Sequence, residues 1–319
     1  MNKLAAGVDI GGTNTVFGLV NKQGEIVERS SLPTTDFPMP EDLVSQVVEG
    51  LKKLLAAFPN HELCCVGIGA PNGNFFTGNV EFAPNLNWFG VVPLAQMFTD
   101  ALAVPAYVTN DANAAAMGEM FFGGAKGMKD FLFITLGTGL GSGIVVNGQM
   151  VYGHDGFAGE LGHVIVEKNG RKCGCGRYGC LETYCSATGI LKTYIELKVS
   201  GLNSKEEAFA LGDEKINARL IYERALKGEK EAIKAFRKTG KTLGLALANS
   251  VVYTSPQAIF LFGGLAQAGD LIFEPTRESF EENLLNIYKG KIQLLPSRLP
   301  ENDAALLGAA SLAWKNMQQ

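Results

Sequence analysis

Histidine is scarce in this chain, with three among 319 residues, and Lys and Arg never run longer than two in succession. The first shortage leaves little room for a histidine-based catalytic array. The second, with a formal net charge of -4, argues against a nucleic-acid surface. A near-continuous apolar stretch of bilayer length is also missing: Phe131 to Gly153 is laced with glycines, and Thr242 to Gly269 is interrupted by Pro256. Too few apolar residues precede Asp9 for a signal-peptide core. A soluble cytoplasmic protein is the expectation, and in that compartment six cysteines argue for metal ligands or free thiols over disulfides.

Two familiar phosphate motifs are absent as well. No G-x-x-x-x-G-K-[ST] occurs and no G-x-G-x-x-G follows a strand, so P-loop and dinucleotide readings drop out. What is present is a globular composition, 46% hydrophobic and 19% charged, in a chain long enough for two domains.

The pattern along the chain is α/β with a mixed sheet. Strands at Leu4 to Ile10, Thr15 to Val20 and Glu25 to Ser30 read as an antiparallel meander. Leu43, Val47, Leu51 and Leu54 recur at helical spacing, with Asp42 near the start and Pro59 past the end. Buried strands come next at 63–71 and 105–109, the second running into "NDANAAAMGEMF". After a boundary at 123–129 the order restarts. "DIGGTNTVFGLVNKQGEIV" (9–27) and "TLGTGLGSGIVVNGQMV" (135–151) share a β-run, glycines with threonine, a β-run, Asn then Gly, and a β-run. This is an internal duplication. Ser204 and Glu207 have capping-box spacing, helices extend through about Ala248, "QAIFLFGG" (257–264) is a further strand, and a closing helix is capped by Asn302 or Asp303.

Three strands end in glycine turns: Gly11-Gly12-Thr13, Gly137-Thr138-Gly139 with Gly141, and Gly263-Gly264. Glycine lets backbone N–H groups approach an anion and threonine adds a donor; the bland alternative is a tight hairpin. Recurrence at the same place in a duplicated unit favours a nucleotide held between related halves. Asp9 suits Mg2+ held with phosphate oxygens. Asn110 and Asp111 stand where a strand ends and a helix begins, so either an N-cap or a general base fits. The second Asn-Asp, at 302–303, shows that the pair alone proves little. Position favours the base, because Asp111 ends a strand lying between the two turns, and phosphoryl transfer asks for little beyond positioning and charge neutralisation.

One segment, "GFAGELGHVIVEKNGRKCGCGRYGCLE", carries Glu160, His163, Cys173, Cys175, Cys180 and Glu182. One histidine and three cysteines make a closed tetrahedral set for structural Zn2+. A catalytic cysteine would lack a second nearby histidine. Glu160 and Glu182 bracket the cluster and suit sugar hydroxyls. Cys64, Cys65 and Cys185 read as small buried hydrophobes.

"DIGGT", "GAPNG", "NDANAAAMGE", "TLGTGLGSG", "GELGH" and "CGCGRYGCLE" together resemble the ROK family (repressors, open reading frames and sugar kinases) within the actin-like ATPase superfamily, over essentially the whole chain. The resemblance implies a duplicated actin-like (ribonuclease H-like) α/β fold of two domains with an interdomain cleft: 1–122 with 303–319, and 123–302. It implies an ATP-dependent hexose kinase, glucokinase being the usual activity, acting on the 6-hydroxyl. Asp111 would be the base and would itself contact the sugar; Asn110, Glu160, His163 and Glu182 would bind sugar, with Asn85 from loop 75–88 also in reach. His163, Cys173, Cys175 and Cys180 would hold zinc, the second His163 nitrogen facing sugar. Asp9, Gly11, Gly12, Thr13, Asn14, Gly137, Thr138, Gly139, Gly141, Gly263 and Gly264 would surround ATP and Mg2+. Asn14 stands where the family often has Lys, and Asn72 is inserted in the usual Gly-Ala-Pro-Gly run. A homodimer without nucleic-acid or membrane partners is expected. The alternatives are an N-acylhexosamine kinase or fructokinase on the same scaffold, and a sugar and nucleotide sensor without turnover.

Overall fold

The computed structural model describes residues 2–200, 216–300 and 303–317. The chain divides into two compact units: residues 1–129, 143–159 and 297–319 form the first, residues 130–142 and 160–296 the second. Among the described residues no helix is long and apolar enough to cross a membrane.

In the first unit, β1 (Asn2–Ile10), β2 (Asn14–Val20) and β3 (Ile26–Pro33) form the expected antiparallel meander, and β4 (His61–Gly69) and β7 (Ala106–Thr109) extend it in parallel. The order is β3-β2-β1-β4-β7. Alternation along β1 decides which side chains go where, because successive residues of a strand point to opposite faces. Leu4, Ala6, Val8 and Ile10 pack with Leu43, Val47 and Leu51 of α1 (Pro40–Ala56). Each of the Leu, Val and Ile side chains contributes about 1.5–3 kcal/mol on full burial. Ala5 points the other way, toward Ala313 and Trp314 of the closing helix. Asp9 shares the parity of Ala5, so β1 sets it on the face opposite α1.

The loop after β4 is more ordered than its sequence suggests. β5 (Val80–Glu81) pairs with β6 (Val91–Val92), and α2 (Leu94–Leu102) comes next. Asn72 adopts a left-handed conformation with φ of 51°, which asparagine tolerates better than most residues. Its amide donates to the carbonyls of Glu81 and Phe82 at 3.0 and 3.2 Å. The inserted residue thus ties the loop to its own far side.

The second sheet runs β10-β9-β8-β11-β12, with β8 (Phe131–Leu136), β9 (Leu140–Val146), β10 (Gln149–Met150), β11 (Ala258–Phe262) and β12 (Gln293–Pro296). Strands β8, β11 and β12 are parallel. The two sheets repeat one order, three strands consecutive in the chain and then two parallel additions, so the sequence duplication is a structural one. The helices are α3 (Asp111–Phe122), α4 (Ala187–Ser200), α5 (Ala218–Leu226), α6 (Lys230–Thr254), α7 (Asp270–Asn283) and α8 (Ala304–Asn316).

The Ser204–Glu207 box lies outside the described residues, as does Asn302. Asp303 occupies the N-cap position of α8 but makes no side-chain cap bond; its carboxylate pairs with Arg29 instead. A guanidinium within reach is a stronger partner for a carboxylate than a helix N–H.

Candidate functional site

In the first unit the strand ends of β1, β4 and β7 supply one cluster. Asn110 caps α3, its Oδ1 accepting from the Ala112 N–H at 2.9 Å, and Asp111 Oδ1 accepts from the same N–H at 2.8 Å. Asn110 is therefore the cap, and Asp111 is the first helical residue. Asp111 keeps contact with solvent, yet protein atoms crowd it enough that burial raises its pKa, against the pull of the Ala112 and Asp111 N–H groups. Asp9 is pushed up to about 7, chiefly by burial and further by the Asp111 carboxylate. Two close carboxylates that resist joint ionisation form a site a cation would relieve.

The first glycine turn is closed by the Gly11 N–H donating to the Asn14 carbonyl at 3.0 Å. Asn14 thus braces the turn through its backbone. The Asn85 backbone lies against Gly12 so closely that a side chain at 12 would strike it. Loop 75–88 therefore reaches the first turn, with Asn85 itself exposed.

In the second unit Gly137-Thr138-Gly139 joins β8 to β9, and the Gly137 N–H donates to the Gly139 carbonyl at 3.1 Å. The Thr135 hydroxyl accepts from the Gly141 N–H at 3.0 Å. Gly263, with φ of 99°, comes directly after β11, and the Leu265 N–H donates to the Leu136 carbonyl, so the Gly263-Gly264 turn lies beside the Gly137 turn.

The first residues of α4 hold this turn from the other side. The Ala187 N–H donates to the Gly137 carbonyl at 2.8 Å, and the Thr188 hydroxyl to the Thr138 carbonyl at 3.0 Å. Glu182 Oε2 accepts from the Leu140 N–H at 3.0 Å and fills the space beside Gly139, where a Cβ would collide with it. Glu182 Oε1 lies 3.7 Å from Cys173 Sγ. One carboxylate thus spans the cysteine loop and the second glycine turn.

The metal-type cluster assembles as the ligand count suggests. One donor atom from each of His163, Cys173, Cys175 and Cys180 lies within 4.8 Å of the others, and all six cysteines are free thiols. His163 Nδ1 stands 3.7 Å from Cys173 Sγ, and Cys175 Sγ 3.6 Å from Cys180 Sγ. A tetrahedral ion with bonds of about 2.3 Å needs ligand separations of about 3.7 Å, so the set fits Zn2+. Burial pushes the Cys175 thiol up, but hydrogen bonds from Arg177 and the neighbouring thiols outweigh it and draw the pKa down to about 6. His163 Nε2 lies 3.9 Å from Glu160 Oε2.

The ROK family model matches residues 5–316. The chain belongs to the ROK family. Among its relatives, the glucokinase of Streptomyces coelicolor is 36% identical over 97% of both chains, and that of Thermotoga maritima is 34% identical over 96% of both. A solved ROK glucokinase from Streptomyces griseus, in complex with glucose and AMPPNP, superposes with a TM-score of 0.79 at 34% identity, covering 98% of this chain and 99% of that one. The actin-like ATPase fold expected for a ROK protein is therefore the fold of this chain.

One prominent contributor in this ROK chain escaped sequence reasoning. Arg171 donates to Glu196 at 2.7 and 2.9 Å, to the Thr183 and Gly189 carbonyls, and to the Thr193 hydroxyl, while its guanidinium lies 4.5 Å from the Tyr184 ring centroid. It bolts the cysteine loop to α4. Its partners lie 12 to 25 residues away, so no local spacing announces it.

Proposed function

We propose that this ROK protein is an ATP-dependent glucokinase that transfers the γ-phosphoryl group of ATP to the 6-hydroxyl of glucose. The observation that carries the reading is Asp111: a carboxylate in the first turn of α3, set against Asp9 and held above the ordinary carboxylate range. A base with a raised pKa accepts a proton more readily than an ordinary aspartate. Its glucokinase relatives support the choice of sugar and donor.

In this reading Asp111 takes the 6-hydroxyl proton as the oxygen attacks phosphorus. Asn110, Glu160, His163 and Glu182, with Asn85, orient the ring hydroxyls. The glycine-turn N–H groups other than those of Gly11, Gly137 and Gly141, which bond within the protein, would face phosphate oxygens together with Thr13 and Thr138, and Asp9 would hold Mg2+, which would supply charge neutralisation. His163, Cys173, Cys175 and Cys180 would hold structural zinc, which cross-links a glycine-rich loop that burial alone would order poorly. The reading keeps the domains at 1–122 with 303–319 and at 123–302, and takes the enzyme as a cytoplasmic homodimer. Sedimentation checks the oligomeric state.

The test is a coupled ADP-release assay over a hexose panel, run with wild type and Asp111→Asn. Glucose-dependent ADP release, lost in the variant, is expected. Full activity in Asp111→Asn would remove the base assignment; preference for an N-acylhexosamine or fructose would move the substrate.

A further inference from the structure

The kinase reading makes no use of Cys64 and Cys65, yet the fold treats them unusually. Neighbouring residues of a strand point to opposite faces. Here β4 breaks that rule: Leu63 stands opposite Leu4 of β1 and Cys65 opposite Ala5, leaving Cys64 without a partner across the ladder. Such a bulge is rare between parallel strands and serves to re-aim a side chain. The re-aimed Cys64 brings its sulfur to 3.4 Å from that of Cys65.

The two thiols are not equivalent. Cys64 is half-buried and reachable, while Cys65 is fully buried. The Cys65 thiol beside it and the Lys3 charge draw Cys64 below the ordinary thiol range despite burial, and the same contact raises Cys65. Tyr107, Trp314 and Met317 form an apolar bed around them.

Geometry chooses between two fates. A disulfide prefers Cα separations of about 4.4–6.8 Å, whereas adjacent residues are held at about 3.8 Å, so direct closure is strained. A bridging atom is not. At about 2.3 Å from each sulfur, the length of a thiolate bond to a soft ion, it would see the pair at about 95°. That angle suits a pyramidal trivalent centre and is far from the linear arrangement of mercury(II).

We propose that Cys64 and Cys65 form a bidentate site for trivalent arsenic, taking an organoarsenic(III) oxide whose organic group rests on Trp314, Met317 and Tyr107. Both arsenic–oxygen bonds of the oxide break and two arsenic–sulfur bonds form. The two thiol protons leave with the oxygen as one water molecule. Arsenic stays trivalent, so no oxidant is needed.

The test treats the zinc-replete full chain with phenylarsine oxide and reads intact mass and modified peptides. One arsenic per chain is expected on the Cys64-Cys65 peptide, stable to excess monothiol, released by a dithiol, and lost in both Cys64→Ser and Cys65→Ala. Cys64→Ser replaces a half-buried side chain, so it decides the matter even if Cys65→Ala folds poorly. The site is refuted by no adduct, an adduct confined to cysteines 173–180, one stripped by monothiol, or one that persists in Cys64→Ser.

Discussion

Asp9 is discouraged from ionising first by burial and then by Asp111, which together lift it from 3.8 to about 7. A carboxyl whose pKa is higher folded than unfolded gives stability that is fully present below pH 3.8 and is lost as pH rises through about 7. Free of metal and nucleotide, Asp9→Asn should therefore melt several degrees above wild type at pH 8, with the gap closing toward pH 4. Differential scanning fluorimetry across that range checks it. Magnesium-dependent ATP affinity should fall in the same variant, since the carboxylate that opposes stability is the one proposed to hold the ion. For Asp111 the expected loss on change to Asn is about 10^2–10^4 in kcat, with glucose and nucleotide affinity retained. If Asp111 is the base, its ionised form carries the reaction, and the acid limb of the wild-type kcat profile should be displaced upward because burial raises its pKa.

At the scale of elements, the cysteine loop and the second glycine turn behave as one piece. Glu182 touches both, and Ala187 and Thr188 hold the turn from the start of α4. Reading the loop from sequence alone suggests that Cys175→Ala or chelation raises the sugar KM and lowers stability, with nucleotide binding less affected. The Glu182 bond from the Leu140 N–H, which ties this loop to the proposed phosphate turn, changes that expectation: ATP affinity should weaken as well, by about tenfold or more, since a hydrogen bond to a charged group contributes about 1.5–3 kcal/mol. Calorimetry of ATP binding before and after zinc removal measures it. Gly139→Ala should mimic the effect by driving a Cβ into the Glu182 carboxylate, whereas Gly137→Ala, with open space around it, should leave thermal stability unchanged. The cluster of His163, Cys173, Cys175 and Cys180 was legible because its residue types complete a tetrahedral set within one short segment, although their spacing is not that of the usual zinc fingers. The Glu182 and Arg171 contacts were not, because their partners lie elsewhere in the chain and only folding brings them together. Likewise the bulge at Cys64 depends on pairing with β1, which no run of β4 residues reveals.

For the whole molecule, duplication is the organising fact, and it was readable because the glycine turns recur at the same place in each repeat. Two sheets of one strand order each deliver a glycine turn at the end of a first strand, β1 in one and β8 in the other. Beyond the turns the two units diverge: α3 brings Asp111 in the first, while the second inserts the cysteine loop and the α4 to α6 helices. Under the proposed function the two repeats would each supply a phosphate-facing turn, one adding the base Asp111 and the other the sugar-orienting loop. The claim that these parts make a glucokinase is tested most directly by supplying γ-labelled ATP and glucose and tracing the label by phosphorus NMR. The account predicts that it appears on the glucose 6-oxygen with wild type and not with Asp111→Asn; label released as inorganic phosphate, with the sugar unmodified, would contradict it.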